Sequence, residues 1–101
     1  MENQLKFYIN GDWVNPIGSE TIEVINPSNE LLIGSIAAGT KEDIDAAVSA
    51  AKNAFQSFAF SSKEDRITII EDIIVEYEKR SEELAQTISN EMGAPLWLSQ
   101  M

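Results

Sequence analysis

A change of period near residue 39 constrains this chain more than any other feature. Before it, apolar residues come in short runs broken by turn residues; after it, they recur every three or four positions. Side chains alternate faces along a strand and return to one face every 3.6 residues in a helix, so the two halves call for different secondary structure. The expected fold class is α+β, with 1–39 as two β-hairpins and 40–101 as three helices followed by a truncated fourth, and no linker between the halves.

Phe7-Tyr8-Ile9 and Trp13-Val14 flank Asn10-Gly11-Asp12. Asn-Gly suits a type I′ turn, because both central positions need positive φ. After the turn region Asn15-Pro16-Ile17-Gly18-Ser19, the run Thr21-Ile22-Glu23-Val24-Ile25 alternates as a half-buried strand does. Asn26-Pro27-Ser28-Asn29 supplies a turn, and Leu31-Leu32-Ile33-Gly34-Ser35-Ile36 reads as the returning strand.

Each helix carries its own start signal. Thr40 and Asp43 form a capping-box variant ahead of an apolar stripe through Ile44, Ala47, Val48, Ala51 and Phe55. Ser61 and Glu64 form an S-x-x-E box before Ile67, Ile70, Ile73, Ile74 and Tyr77, with a charged face opposite. Ser81, with Glu82 and Glu83 where the helix dipole favours anions, is expected to cap a third helix through Leu84, Ile88 and Met92, which Gly93 stops. Pro95 fits the first turn of a fourth helix, Leu96 to Gln100, that meets the chain end at Met101 without a cap.

Composition narrows the chemistry. The 101 residues contain no Cys and no His, which removes thiolate nucleophiles, disulfides and the commonest neutral-pH base and metal ligand. A chain of this length is expected to bury about 60 to 65% of its unfolded surface. Its net charge of −10 is spread over both halves, with no basic cluster longer than Lys79-Arg80, so neither nucleic acid nor anionic membrane is an expected partner. With no membrane-length apolar run and no signal-peptide core, the expected location is cytoplasmic.

The carboxylate pairs Asp43/Asp45, Glu71/Asp72 and Glu82/Glu83 lie on expected polar helix faces or first turns and read as solvated charge, not as a catalytic pair. No glycine-rich phosphate loop and no G-x-S-x-G elbow occurs. Phe55, Phe58 and Phe60 read as core packing in preference to a ligand slot, and Leu96 and Trp97 as a core helix without its partner in preference to a docking anchor.

In order and spacing, several pieces together resemble the N-terminal segment of the aldehyde dehydrogenase superfamily. They are Tyr8-Ile9-Asn10-Gly11-Asp12-Trp13-Val14, Glu23-Val24-Ile25-Asn26-Pro27, Glu42 to Val48 with Ala50-Ala51 and Ala54-Phe55, Arg66, and Glu91-Met92-Gly93-Ala94-Pro95. Two positions depart from the pattern: Phe58 stands where Trp is usual and Ala94 where Lys is common. The resemblance implies a piece of the family's α/β cofactor-binding domain, and a parent that oxidises aldehydes to carboxylic acids with NAD or NADP. It implies no catalytic and no cofactor-binding residue in this segment, because the family's nucleophilic Cys, oxyanion Asn and general-base Glu belong to later segments. By position, the backbone carbonyls of Val24 and Ile25 correspond to part of a monovalent-cation site that also takes an Asp from further along the family's chain. The expected partners are the remainder of the parent chain and, through exposed apolar faces, a second copy. The alternative is a complete small acidic interaction module without catalytic activity, docking a basic or apolar partner through the end that carries Trp97.

Overall fold

A computed structural model describes residues 3–101. The elements run β1 (Phe7–Ile9), β2 (Asp12–Val14), β3 (Thr21–Ile25), β4 (Leu32–Ala37), α1 (Lys41–Phe58), α2 (Lys63–Lys79), α3 (Ser81–Met92) and α4 (Leu96–Ser99). The expected change from strands to helices therefore falls where the period changes. The chain divides into two units: residues up to Val24 together with Gly34–Phe60, and Ile25–Ile33 together with Ser61–Met101.

In the first unit, β1 and β2 pair antiparallel with Phe7 opposite Val14, Tyr8 opposite Trp13 and Ile9 opposite Asp12. This register leaves Asn10 and Gly11 as a two-residue loop at φ 56° and 84°, the left-handed geometry that makes a type I′ turn follow strand twist. Asp12, expected in the turn, is the first residue of β2. The Tyr8 and Trp13 rings meet edge to face at 5.3 Å across the pair. Gly39 brings the backbone to the Phe7 ring, where an added Cβ would sit 3.6 Å from the ring edge. The Ala37 amide donates to the Gln4 carbonyl at 3.3 Å and the Ala38 amide to that of Glu20 at 2.9 Å, fastening the end of β4 to earlier chain.

β3 and β4 form the second two-stranded sheet, and a connection of this length can join only antiparallel neighbours. Their turn belongs to the second unit. Asn26 organises it, its Oδ1 accepting from the Ser28 amide at 2.9 Å and the Ser28 hydroxyl at 2.8 Å, while its own amide donates to the Leu31 carbonyl at 2.9 Å.

The caps correct the sequence reading in part. Thr40 caps α1 in a complete capping box with Asp43, as expected. In α2 the cap is Ser62 and not Ser61: the Ser62 hydroxyl accepts from the Asp65 amide at 3.0 Å and Asp65 reaches back to the Ser62 amide at 3.2 Å. Ser81 is the first helical residue of α3 and not its cap, since its hydroxyl donates back to the Glu78 carbonyl at 3.1 Å. Arg80 occupies the junction and pairs with Glu83 through two guanidinium nitrogens, at 3.1 and 3.0 Å. Gly93 ends α3 at φ 69°, and Pro95 sits just ahead of α4 instead of inside its first turn.

Burial differs most from expectation. Among the described residues only Ala37, Ala85 and Asp43 are buried, and apart from the half-buried Ala47 the stripes of α1 and α2 stay exposed, with Ile44 at 60%, Phe55 at 66% and Ile70 at 57%. The packed face of α3 is Ala85, Ser89 and Gly93, small residues four apart, and not Leu84, Ile88 and Met92. At Gly93 the chain presses on the Asn26–Asn29 turn so closely that a Cβ would lie 3.0 Å from the Ser28 amide nitrogen. The chain exposes 8174 Å². For 11.2 kDa that leaves about half of the unfolded surface accessible, where a folded monomer exposes about 5,700 Å².

Candidate functional site

Asp43 is the most constrained polar side chain in the first unit. The helical start at Thr40 places it in the first turn of α1, where Thr40 Oγ1 accepts from the Asp43 amide at 3.3 Å. Its carboxylate turns back: Oδ2 accepts from the Thr40 amide and hydroxyl, both at 2.9 Å, and Oδ1 from the Ile17 amide at 3.0 Å. One side chain thus holds both the helix entry and a loop 26 residues earlier. The expected solvated charge is corrected here, because Asp43 is buried and fully bonded while its sequence neighbour Asp45 is exposed and pairs with Lys41.

These bonds favour the ionised form. Donation from the Thr40 backbone, then the Ile17 backbone, then the Thr40 hydroxyl outweighs burial and holds the Asp43 carboxyl below its ordinary value. A carboxylate so stabilised, with both oxygens committed, is a poor proton donor and has little capacity left for a metal or substrate. Asp43 is a structural clasp.

Beside it lies an open cleft of about 600 Å³ lined in part by Asn10, Asp12, Asn15, Asp43, Ser49 and Asn53. The charged groups on its wall, Asp12 and Asp43, are both acids. A dinucleotide pyrophosphate would meet repulsion there, and the helix N-terminus that could attract an anion is already occupied by the Asp43 carboxylate. The residues present do not fit a nicotinamide dinucleotide.

The other candidates remain apart. Glu71, Asp72 and Glu82 are exposed, and Glu83 is held below its ordinary value by hydrogen bonding and charge from Arg80. Among the described residues no group of three or more acids could hold a metal ion. Val24 and Ile25 are the last two residues of β3, and a cation shell takes more oxygens than the two carbonyls they carry. Phe55, Phe58 and Phe60, read as core, are exposed, Phe60 at 89%; Trp97 is also exposed. Among the described residues no helix is long and apolar enough to cross a membrane.

The sequence marked Asp43 as a capping residue but gave no sign of Ile17 as its second partner, since a backbone amide carries no residue-type signal. The packed face of α3 was missed because Ala85, Ser89 and Gly93 are small and a hydrophobic pattern gives them little weight. Their spacing of four could have pointed to it.

The backbone superposes on solved structures of much longer proteins. The crystal structure of an aldehyde dehydrogenase from Bartonella henselae matches 99% of this chain and 21% of its own, with a TM-score of 0.94 at 44% identity. Aldehyde dehydrogenase C from Pseudomonas syringae, a cysteine-to-alanine mutant crystallised with NAD+ and octanal, matches 97% of this chain and 20% of its own, with a TM-score of 0.94 at 40% identity. In sequence, an aldehyde dehydrogenase homologue of Staphylococcus aureus is 47% identical over 100 residues, which are 99% of this chain and 21% of the homologue. The pattern of the aldehyde dehydrogenase family matches residues 13–101, and the chain belongs to that family. It spans about a fifth of the length of the relatives it matches.

Proposed function

We propose that this chain is the N-terminal scaffold part of an NAD(P)-dependent aldehyde dehydrogenase, a cytoplasmic oligomeric enzyme that oxidises an aldehyde to a carboxylic acid, and that the chain alone is inactive. One observation carries the reading. The match to the S. aureus relative extends over 99% of this chain but 21% of that protein, and the matched part contains no cysteine to serve as nucleophile.

The remainder of the parent is the partner that this reading requires. Exposed stripes on α1 and α2 would pack against it, while Asp43 and the Gly93 contact hold each unit's local geometry. The NAD+ present in the P. syringae structure supports a dinucleotide cofactor for the parent, bound by residues outside this chain. Incubating the purified chain with NAD+ and a short aldehyde, while following nicotinamide absorbance, tests the inactivity. No change above the enzyme-free rate is expected, and sustained turnover would overturn the proposal.

A further inference from the structure

We propose that Asn10 is a self-modification site, deamidated through the Gly11 amide when the β1–β2 hairpin opens. The inference goes beyond the scaffold reading and does not rest on it, because every group it uses lies within one hairpin.

Of the seven asparagines, only Asn10 precedes glycine. Deamidation begins when the next residue's backbone nitrogen attacks the Asn side-chain carbonyl carbon, so that nitrogen must carry a hydrogen and be uncrowded. Pro16 and Pro27 give Asn15 and Asn26 no such nitrogen. Asn53 and Asn90 sit within α1 and α3, where the helix fixes the following amide. Asn29 is tied by its Oδ1 to the Leu31 amide at 3.0 Å. Gly11 has no side chain and nothing within 4 Å of where a Cβ would stand, and it is exposed together with Asn10.

Attack forms the bond from Gly11 N to Asn10 Cγ and breaks that from Cγ to Nδ2, and ammonia leaves with the Gly11 amide proton. Water then opens the five-membered ring at either carbonyl. Opening at Cγ yields aspartate. Opening at the main-chain carbon yields isoaspartate, whose backbone runs through Cβ and is longer by one methylene. Either product adds one negative charge to a chain already at −10.

The folded turn blocks the first step. Asn10 and Gly11 are left-handed, at φ 56° and 84°. In a type I′ turn the first central residue has ψ of about +30°, which sets the next nitrogen nearly opposite Cβ across the Cα–C bond and out of reach of Cγ. Ring closure needs that nitrogen on the Cβ side, a rotation incompatible with the paired strands. The latch is small. β1 and β2 have three residues each, a two-stranded hairpin is marginal by itself, and the Tyr8 and Trp13 rings join the strands beside the turn at 5.3 Å. Once isoaspartate forms, its added methylene does not fit a two-residue loop, so the hairpin cannot reclose in register. The aspartate product instead adds a carboxylate to the cleft wall that Asp12 and Asp43 already line. Modification therefore accumulates with the time the hairpin spends open.

Incubating the purified chain in mildly alkaline buffer, with and without urea, and following peptide masses and isoaspartate content tests this. In urea Asn10 should convert first among the seven asparagines, and Gly11→Ala should slow it. Without urea its rate should be at least roughly tenfold lower, in proportion to the fraction of open hairpin. Tyr8→Ala, which removes the ring contact, should raise the folded-state rate by up to about fivefold and leave the rate in urea unchanged. Another asparagine converting first in urea, or no slowing by Gly11→Ala there, overturns the site. Equal rates with and without urea, or a folded-state rate of Tyr8→Ala no higher than that of wild type, overturn the gating by the hairpin. None of these results bears on the dehydrogenase reading.

Discussion

Two glycines sit at positive φ in this chain for different physical reasons. At Gly11 an added Cβ would meet nothing within 4 Å, so Gly11→Ala is strained only by its left-handed backbone at φ 84°, a cost of about 1–2 kcal/mol. At Gly93 the same backbone cost adds to a Cβ 3.0 Å from the Ser28 nitrogen and 3.1 Å from Pro27. Urea unfolding should therefore show Gly93→Ala to be the more destabilising by at least about 1 kcal/mol. Asp43 gives a prediction with a definite sign. Its folded-state value lies below the unfolded one, so its contribution is fully present above the unfolded value and is lost as pH falls through the folded value. Asp43→Asn should be less stable than wild type at neutral pH and lose less as pH falls below about 4, as read by thermal unfolding at each pH. Equal acid sensitivity would mean that the Thr40 and Ile17 bonds do not set the titration.

Among the elements, the caps show what sequence can and cannot resolve. Thr40 was legible because one box fits the start of α1. At α2 two overlapping boxes, Ser61 with Glu64 and Ser62 with Asp65, satisfy the same pattern, and only the backbone decides: Ser62 is extended at φ −70° and ψ 163° and makes both reciprocal bonds. Ser62→Ala should cost about 1 kcal/mol in urea unfolding followed by circular dichroism. The hairpins were legible because Asn10-Gly11 has few conformations compatible with two short strands. Which helix faces would be covered was not legible. An apolar stripe signals that something must pack on it, without saying whether the partner lies within these residues.

For the whole molecule, exposure is the main departure from an independent domain. Among the described residues only Ala37 and Asp43 in the first unit and Ala85 in the second are buried, few for a chain of 101 residues, and none of the three is a large apolar side chain. Such a chain fits a part of a larger packed body, as does its span of about a fifth of its relatives' length. Under the proposed reading, the absence of cysteine and histidine, visible from the first count, places the family's nucleophile in the part of the parent outside this chain. The most direct measurement is complementation. The chain would be co-expressed with the part of the S. aureus relative outside the matched 100 residues, and NAD+ reduction followed with a short aldehyde. The account predicts that neither piece turns over alone and that the assembled pair does. Turnover by this chain alone, or an assembled pair no more active than the relative's part by itself, would contradict it.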